Sequence, residues 1–217
     1  MSDLGPRLES ALAFLQDANC LADVGADHGF FAIEAIKRGL AKRAVAIDDK
    51  PAPLGRATEH IAAVGLAGVI LPILADGLPR EVACDTVAIL GLGGITIAEI
   101  LGAADLSVVT RLILGPQSEP AATRLWLEQN GFKLVAEAFV RERGKHYQIL
   151  AAVKGTMTLS EAEREFGPLI LEARNPAFRA YVAKRLHQLE NGRKHALDAV
   201  RKDDLERRIA ALKELIR

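Results

Sequence analysis

Over the first 130 residues, five short apolar runs rich in β-branched residues alternate with helical stretches, and this alternation constrains the fold most strongly. It is typical of βαβ units, in which parallel strands form one sheet with helices packed on its faces. The predicted strands are residues 20–24, 43–47, 69–74, 86–90 and 111–114. The predicted helices are residues 6–18, 30–39, 53–64, 95–101 and 120–129.

The pattern changes after residue 131. Two strand-like runs, 133–140 and 147–153, are joined by the charged segment 141–146, in which Gly144 is the turn residue. Five βα units that end in an antiparallel hairpin predict an α/β fold with a Rossmann-like, seven-stranded sheet. The six-stranded parallel sheet of dinucleotide-binding dehydrogenases fits this ending less well.

Residues beyond 155 are predicted to be helical. A capping box begins at Ser160, with Glu163 three residues later, and Asn175-Pro176 separates a first helix from the next one. Apolar residues at spacings of three and four then predict two long helices over 177–217, expected to form an antiparallel pair. We therefore expect two domains, 1–155 and a C-terminal helical, coiled-coil-like domain over 156–217.

The formal net charge is zero, but the two predicted domains differ in charge. Residues 1–155 hold 15 Lys and Arg against 18 Asp and Glu, whereas residues 156–217 hold 13 against 10. The excess is concentrated between Arg174 and Lys202, where there are eight basic residues and two acidic ones. This stretch is either a phosphate-binding surface or a solvated helix face.

Neither membrane insertion nor secretion is predicted. No apolar run approaches the roughly 20 residues that span a bilayer, and the first residues lack a basic and then apolar leader. Cys20 and Cys84 lie in apolar stretches without metal-ligand spacing, so no metal site is expected. We expect a cytoplasmic protein in which these two cysteines are reduced thiols rather than a disulfide.

The loop after the first predicted strand, Asp23-Val-Gly25-Ala-Asp27-His28-Gly29, points most directly to chemistry. Gly25 permits a tight turn and the close approach of a ligand, and Gly29 permits close helix packing. A dinucleotide fingerprint would need a glycine at position 27, and two carboxylates there would repel a pyrophosphate. A cofactor with ammonium and sulfonium charges suits Asp23 and Asp27 better, although Asp27 would alternatively cap the following helix.

The next three strand ends carry compatible residues. Asp48, with Asp49 as the second choice, is placed to accept ribose hydroxyl hydrogens, as an acid about 20 residues after a glycine loop does. Asp76 is placed to accept a hydrogen bond from an adenine amino group, and Gly77 lets the ring approach; Asp-Gly is otherwise a turn signal. The glycines after strand four expose backbone groups where open α/β sheets bind ligands. The predicted cofactor-binding residues are Asp23, Gly25, Asp27, Asp48, Asp76, Gly77, Gly91 and Gly93.

Together these motifs resemble those of the bacterial tRNA (adenine-22-N1)-methyltransferases. The resemblance covers about residues 5–155, with a further likeness in the helical tail, and rests on five segments: 23–28, 76–78, 91–94, 112–117 and 144–147. In the family pattern strand four ends in Gly-Met-Gly-Gly and strand five in Gln-Pro-Asn, where this chain has Leu92 and Gly115-Pro116-Gln117. The resemblance implies a class I methyltransferase domain that uses S-adenosylmethionine, followed by a helical domain that helps to hold tRNA.

For such a reaction an unpaired adenine would enter beside the cofactor, and we assign the residues accordingly. Asp27, His28 and Tyr147 are the predicted catalytic residues; His28 is otherwise a structural histidine, and Tyr147 and Phe30 are otherwise core residues. The predicted substrate-binding residues are Arg7, Gly94, Gln117, Arg179, Lys184 and Arg185. The expected partner is tRNA, with no membrane, and the chain is expected to be a monomer or a weak dimer through its C-terminal helices.

Three other functions compete with this interpretation. One is a methyltransferase that acts on a different RNA site or on a small molecule. Another is a non-catalytic module that binds S-adenosylmethionine and RNA. A nicotinamide-dependent dehydrogenase is the third, and both the glycine pattern and the sheet ending argue against it.

Overall fold

The computed structural model describes residues 4–195 and 198–215. The chain divides into two compact units, with the boundary between Gly167 and Pro168. This boundary falls twelve residues after the one predicted at 155, because the segment up to Gly167 packs on the first unit.

The first unit is built on one seven-stranded sheet in the order β3-β2-β1-β4-β5-β7-β6. Strands β1 to β5 are parallel, and β7 is antiparallel to both of its neighbours, as the hairpin ending predicted. The strand order reverses between β1 and β4, where open α/β sheets form a crevice at their carboxyl ends. The strands are β1 Leu21–Val24, β2 Ala44–Asp48, β3 Ile70–Leu74, β4 Thr86–Leu90, β5 Arg111–Gly115, β6 Phe132–Glu142 and β7 Lys145–Lys154.

Helices cover both faces of this sheet, because alternate strand residues point to opposite sides. The helices are α1 Pro6–Ala13, α2 Phe30–Lys37, α3 Pro51–Ala63, α4 Gly94–Ala103 and α5 Pro120–Gln129. Leu21 joins the apolar core beneath α1, α2 and α3, whereas Ala22 joins the core beneath α4 and α5. The first helix ends at Ala13 rather than at 18, since residue 18 already bridges to Ala41 alongside the sheet.

The β6–β7 hairpin is longer than predicted and reaches the carboxyl edge of the sheet. Arg143 and Gly144 both have positive φ, 48° and 80°, which is the conformation of a tight two-residue turn that follows the strand twist. Because β7 is antiparallel to β5, this turn lies beyond the carboxyl end of β5.

A buried ion pair explains why the first unit extends to Gly167. Arg124 of α5 and Glu137 of β6 have fully buried side chains, with Nε and Oε1 2.8 Å apart. Arg124 also donates hydrogen bonds to the carbonyls of Arg164, at 2.9 Å, and Glu165, at 3.3 Å. These carbonyls belong to α6, Glu161–Phe166, whose predicted capping box at Ser160 is present.

The second unit contains α7 Pro168–Ala173, α8 Pro176–Lys194 and α9 Ala199–Leu215. Asn175 caps α8 as its side chain accepts the Phe178 N–H at 2.9 Å, so the predicted break at 175–176 is confirmed. A single helix was predicted before this break. The structure has two short helices there, α6 and α7, which are separated at Gly167, where φ is 89°. Ion pairs Glu190–Lys213 and Arg193–Glu206 join α8 and α9 as an antiparallel pair. Of the range predicted for this pair, residues 196–197 and 216–217 lie outside the described residues.

Cys20 and Cys84 form a disulfide, with Cα atoms 4.6 Å apart, so the expectation of reduced thiols is wrong. The reason is topological, because the two cysteines precede the neighbouring strands β1 and β4, in which Leu21 pairs with Thr86. In residues 4–195 and 198–215, no helix is long and apolar enough to cross a membrane. The same residues contain no cluster of three or more potential metal ligands.

Candidate functional site

A cavity of about 580 Å³ opens at the carboxyl ends of β1, β2 and β4. Its size is in the range of small-molecule and cofactor sites. Eight of the predicted site residues line it, although they come from distant parts of the chain: Arg7, Asp23, Gly25, Asp27, His28, Asp48, Gly91 and Gln117. The fold therefore brings the loops after three strands, the first helix and the loop after β5 to one cavity.

Asp23 is the most unusual group in this cavity. The residue is only 2% exposed, and its Oδ2 atom is buried without a hydrogen-bond partner among the described residues. Burial raises the pKa of this carboxyl to about 7; the Ala32 N–H acts against that shift, and the nearby Asp48 carboxylate adds to it. A buried carboxylate oxygen that lacks a partner is suited to receive a cationic group of a ligand.

The loop after β1 takes its shape from left-handed backbone at Gly25, Asp27 and Gly29, with φ values of 73°, 49° and 74°. A Cβ on Gly29 would lie 3.2 Å from the Cβ of Ala57, so this glycine lets α2 approach α3 closely, as predicted. The N-cap of α2 is Gly29, with no side-chain cap bond, so Asp27 does not cap this helix. The Asp27 side chain is instead 63% exposed at the cavity.

Asp48 fixes two backbone positions around the cavity. Its Oδ2 accepts the N–H of Asp27 at 3.0 Å, and its Oδ1 accepts the N–H of Lys50, also at 3.0 Å. Each carboxylate oxygen has a second lone pair, so Asp48 is still able to accept hydrogen bonds from a ligand. Asp49 is exposed and also lines the cavity.

Aromatic rings group beside the same loop. The ring centroids of His28, Phe30 and His60 are 4.9 to 5.8 Å apart, and Phe30 is 43% exposed. His28 Nε2 lies 3.7 Å from Asp27 Oδ1, while His28 Nδ1 is buried without a partner in the described part of the chain. Arg56 lies 3.8 Å from the same Asp27 oxygen. Phe30 is thus an exposed ring at the cavity rather than a core residue.

Arg7 and Gln117, which also line the cavity, converge on Gly91. Arg7 Nη1 and Gln117 Nε2 lie 3.2 Å and 3.3 Å from the position that a Cβ on Gly91 would occupy. The Arg7 guanidinium lies over the ring of Tyr147, 5.6 Å from its centroid. Tyr147 does not itself line the cavity, but it lies beside Arg7, which does. Its side chain is partly buried.

Four of the predicted ligand-binding residues at the strand ends do not line this cavity. Asp76 is exposed and Gly77 approaches Ile100, at the same sheet edge just beyond the end of β3. Gly93 faces the hydroxyl of Ser118, and a Cβ on Gly94 would collide with the carbonyl of Glu119. The structure thus gives Gly94 a packing role between two loops, which differs from the predicted contact with substrate.

The three predicted substrate-binding residues of the tail, Arg179, Lys184 and Arg185, are exposed on α8 of the second unit. They are basic residues on the exposed part of this helix.

The structure also adds residues that the motifs did not identify. Glu142 and Arg143, at the tip of the β6–β7 hairpin, line the cavity. Glu142 accepts the backbone N–H of Arg7 at 3.0 Å. The sequence signals only that the hairpin tip lies at this edge of the sheet, since a final strand antiparallel to β5 must begin at the carboxyl edge; it does not signal the contact with Arg7.

Comparison with known proteins gives one consistent result. Residues 21–217 match the TrmK family model, described as tRNA (adenine(22)-N(1))-methyltransferase. The tRNA (adenine(22)-N(1))-methyltransferase of Bacillus subtilis strain 168 is 29% identical over 185 residues, which is 81% of this chain and 78% of that protein.

Two solved structures extend this similarity to the whole fold. A Streptococcus pneumoniae protein in complex with S-adenosyl-L-methionine has 33% identity and a TM-score of 0.89, with 99% of this chain and 100% of that chain covered. M. capricolum TrmK in complex with S-adenosyl-homocysteine has 26% identity and a TM-score of 0.88, with 99% of both chains covered.

Proposed function

Since the chain belongs to the tRNA (adenine(22)-N(1))-methyltransferase family, we propose that it transfers a methyl group from S-adenosylmethionine to N1 of adenine 22 in tRNA. The observation that carries this proposal is the buried Asp23 carboxylate, which lacks a partner for Oδ2 among the described residues and lines a cavity at the strand-order reversal. Because that cavity is rich in carboxylates, it favours a cationic cofactor over an anionic one.

The residues present fit this cofactor, which supplies a methyl group on a positively charged sulfur when it is bound. Asp23 would receive its ammonium group, and Asp48 would accept hydrogen bonds from its ribose hydroxyls. Gly25 and Gly91, both with positive φ, keep side chains away from the loops that face it. Asp76 and Gly77, just beyond the end of β3, remain our choice for the adenine edge.

The acceptor nitrogen already has a lone pair in the ring plane, so no base is needed before attack. The chain's task is then to align the adenine and to exclude water. N1 lies on the Watson–Crick edge, so the nucleotide has to leave any pairing or stacking before it can react. Asp27 would stabilise the positive charge that the methylated ring acquires, with His28 beside it. Phe30 would offer a ring face at the cavity, and Tyr147 would act from behind Arg7.

The tRNA body would bind to the basic surface of α8. Arg179, Lys184 and Arg185 are exposed there, and charges of this kind hold phosphates without reading sequence. We further propose that the chain acts in the cytoplasm, where tRNA is its substrate, as a monomer or a weak dimer through α8 and α9.

Nucleoside analysis tests the proposal directly. Two tRNA transcripts, one with A22 and one with G22, are incubated with the protein and labelled cofactor, then digested and analysed by mass spectrometry. We expect 1-methyladenosine from the A22 transcript only. Equal labelling of both transcripts would indicate another site, and tight cofactor binding without transfer to total tRNA would favour the non-catalytic module.

A further inference from the structure

From the contacts of Arg7, we infer that its guanidinium plane recognises the extruded adenine, and that Glu142 is the residue that positions it. This inference rests on the proposed function and assigns a substrate contact within the same cavity.

The position of Arg7 depends on a contact between distant parts of the chain. Arg7 lies in the first turn of α1, where backbone N–H groups have no partner within the helix. The Glu142 carboxylate, 135 residues away, accepts the Arg7 N–H at 3.0 Å. Negative charge at a helix amino terminus is stabilising, so the hairpin tip fixes the start of α1.

The surroundings of Arg7 favour recognition of a planar group. The Cζ atom of its guanidinium lies over the Tyr147 ring, 5.6 Å from the ring centroid, and Nη1 approaches Gly91 just after β4. Arg7 lines the cavity, and unstacked RNA bases commonly stack on guanidinium planes as well as on aromatic rings. The Gln117 amide at Gly91 adds a hydrogen-bonding group at the same place.

A phosphate contact would need only the charge of Arg7, whereas stacking needs its plane. Arg7→Lys keeps the charge and loses the plane, so it separates the two modes. We expect Arg7→Ala and Arg7→Lys to lower kcat/KM for tRNA by about 10- to 100-fold, the range of one base-stacking contact. Near-normal kcat/KM for Arg7→Lys would overturn planar recognition.

The role of Glu142 is tested by a double-mutant cycle. Glu142→Ala should lower kcat/KM for tRNA, and Arg7→Ala/Glu142→Ala should be no worse than Arg7→Ala alone. Glu142→Gln, which keeps an acceptor oxygen, should restore most of the activity. Additive losses would mean that Glu142 acts independently of Arg7 and would overturn its positioning role.

Matched controls keep the outcomes distinct. Lys154 lies 4.2 Å from the centroid of Phe132, which makes a second cation–aromatic pair at the far end of the same hairpin, so Lys154→Ala should leave kcat/KM unchanged. Cofactor affinity, measured by calorimetry, should fall by much less than kcat/KM for tRNA in every variant, because our assignment gives the cofactor to Asp23 and Asp48 and the adenine to Arg7. A wild-type chain that methylates tRNA while Arg7→Ala is normal would overturn this inference alone. A wild-type chain without activity on any tRNA would overturn the proposed function and this inference together.

Discussion

The backbone N–H of Asp27 donates to the Asp48 carboxylate at 3.0 Å, and this bond ties the loop after β1 to the end of β2. The two residues are 21 positions apart, yet the parallel pairing of β1 with β2 places their loops side by side. Asp48 therefore holds the loop in shape while keeping lone pairs for a ligand. This double use of one carboxylate makes the cavity sensitive to small changes at position 48.

Replacement of Asp48 tests its assignment to the cofactor ribose. We expect Asp48→Asn to weaken S-adenosylmethionine binding by about 10- to 100-fold, because hydrogen bonds to a charged group contribute about 1.5–3 kcal/mol. Isothermal calorimetry on Asp48→Asn and Asp49→Asn makes the comparison. A larger loss for Asp49→Asn would move the ribose contact to that residue.

Cofactor affinity should depend on pH through Asp23. Its pKa of about 7 in the free protein means that the carboxyl is largely protonated at low pH and ionised at high pH. Because a cation binds the ionised form, affinity should rise with pH up to about 7 and then level off, with proton release on binding. Calorimetry in buffers of different ionisation enthalpy measures that release, and a pH-independent affinity would contradict it.

The same carboxyl should destabilise the free protein at high pH. A carboxyl whose pKa is raised in the folded state gives stability at low pH that is lost as pH rises from about 4 to about 7. A pKa shift of this size corresponds to a loss of up to about 4 kcal/mol in the free energy of unfolding. Asp23→Asn should therefore raise the melting temperature at mildly alkaline pH while it abolishes cofactor binding; a variant less stable than wild type there would refute this.

Asp27 should matter for turnover more than for folding. The side chain is 63% exposed, and its left-handed backbone conformation is tolerated by Asn. We expect Asp27→Asn and Asp27→Ala to lower kcat for tRNA at least about 100-fold, as loss of a group acting on the reacting centre does. Circular dichroism should show an intact fold. Turnover near the wild-type rate would remove Asp27 from the catalytic residues.

The buried Arg124–Glu137 pair should be essential for stability. Arg124→Met would leave the Glu137 carboxylate buried without its guanidinium, a change that typically costs about 3–5 kcal/mol. Replacement of both residues, as Arg124→Met/Glu137→Leu, should recover part of that loss. Urea unfolding curves give the free energies, and a single variant as stable as wild type would show that the pair is dispensable.

The basic surface of α8 should control tRNA affinity. The triple variant Arg179→Gln/Lys184→Gln/Arg185→Gln should weaken tRNA binding. The slope of log affinity against log salt concentration should also become shallower, by the equivalent of up to about three phosphate contacts. Arg207 and Arg208 on α9 already pair with Asp203 and Asp204, so Arg207→Gln/Arg208→Gln is a matched control with a smaller expected effect. Unchanged binding by the triple variant would favour the solvated-face interpretation.

Local patterns were sufficient for most of the fold. β-Branched runs predicted the first five strands, and two strand-like runs joined by the charged turn at Gly144 predicted the antiparallel hairpin that ends the sheet. Periodicity is a property of neighbouring residues, so it can be read without knowledge of the tertiary structure. Helix ends were harder to predict, as with α1, because the chain beyond Ala13 is held by pairing across space.

The sequence by itself determined the architecture and placed aspartate and glycine residues at the ends of β1, β2 and β4, because a parallel strand always delivers its loop to the same sheet edge. Only the tertiary structure decided which of these groups line one cavity, which of them lack a hydrogen-bond partner and which cysteines are joined. It brought Glu142 to the N–H of Arg7, left Asp23 Oδ2 without a partner among the described residues, and joined Cys20 to Cys84. Burial and contacts between residues far apart in the chain depend on the whole packed fold, and no local pattern encodes them.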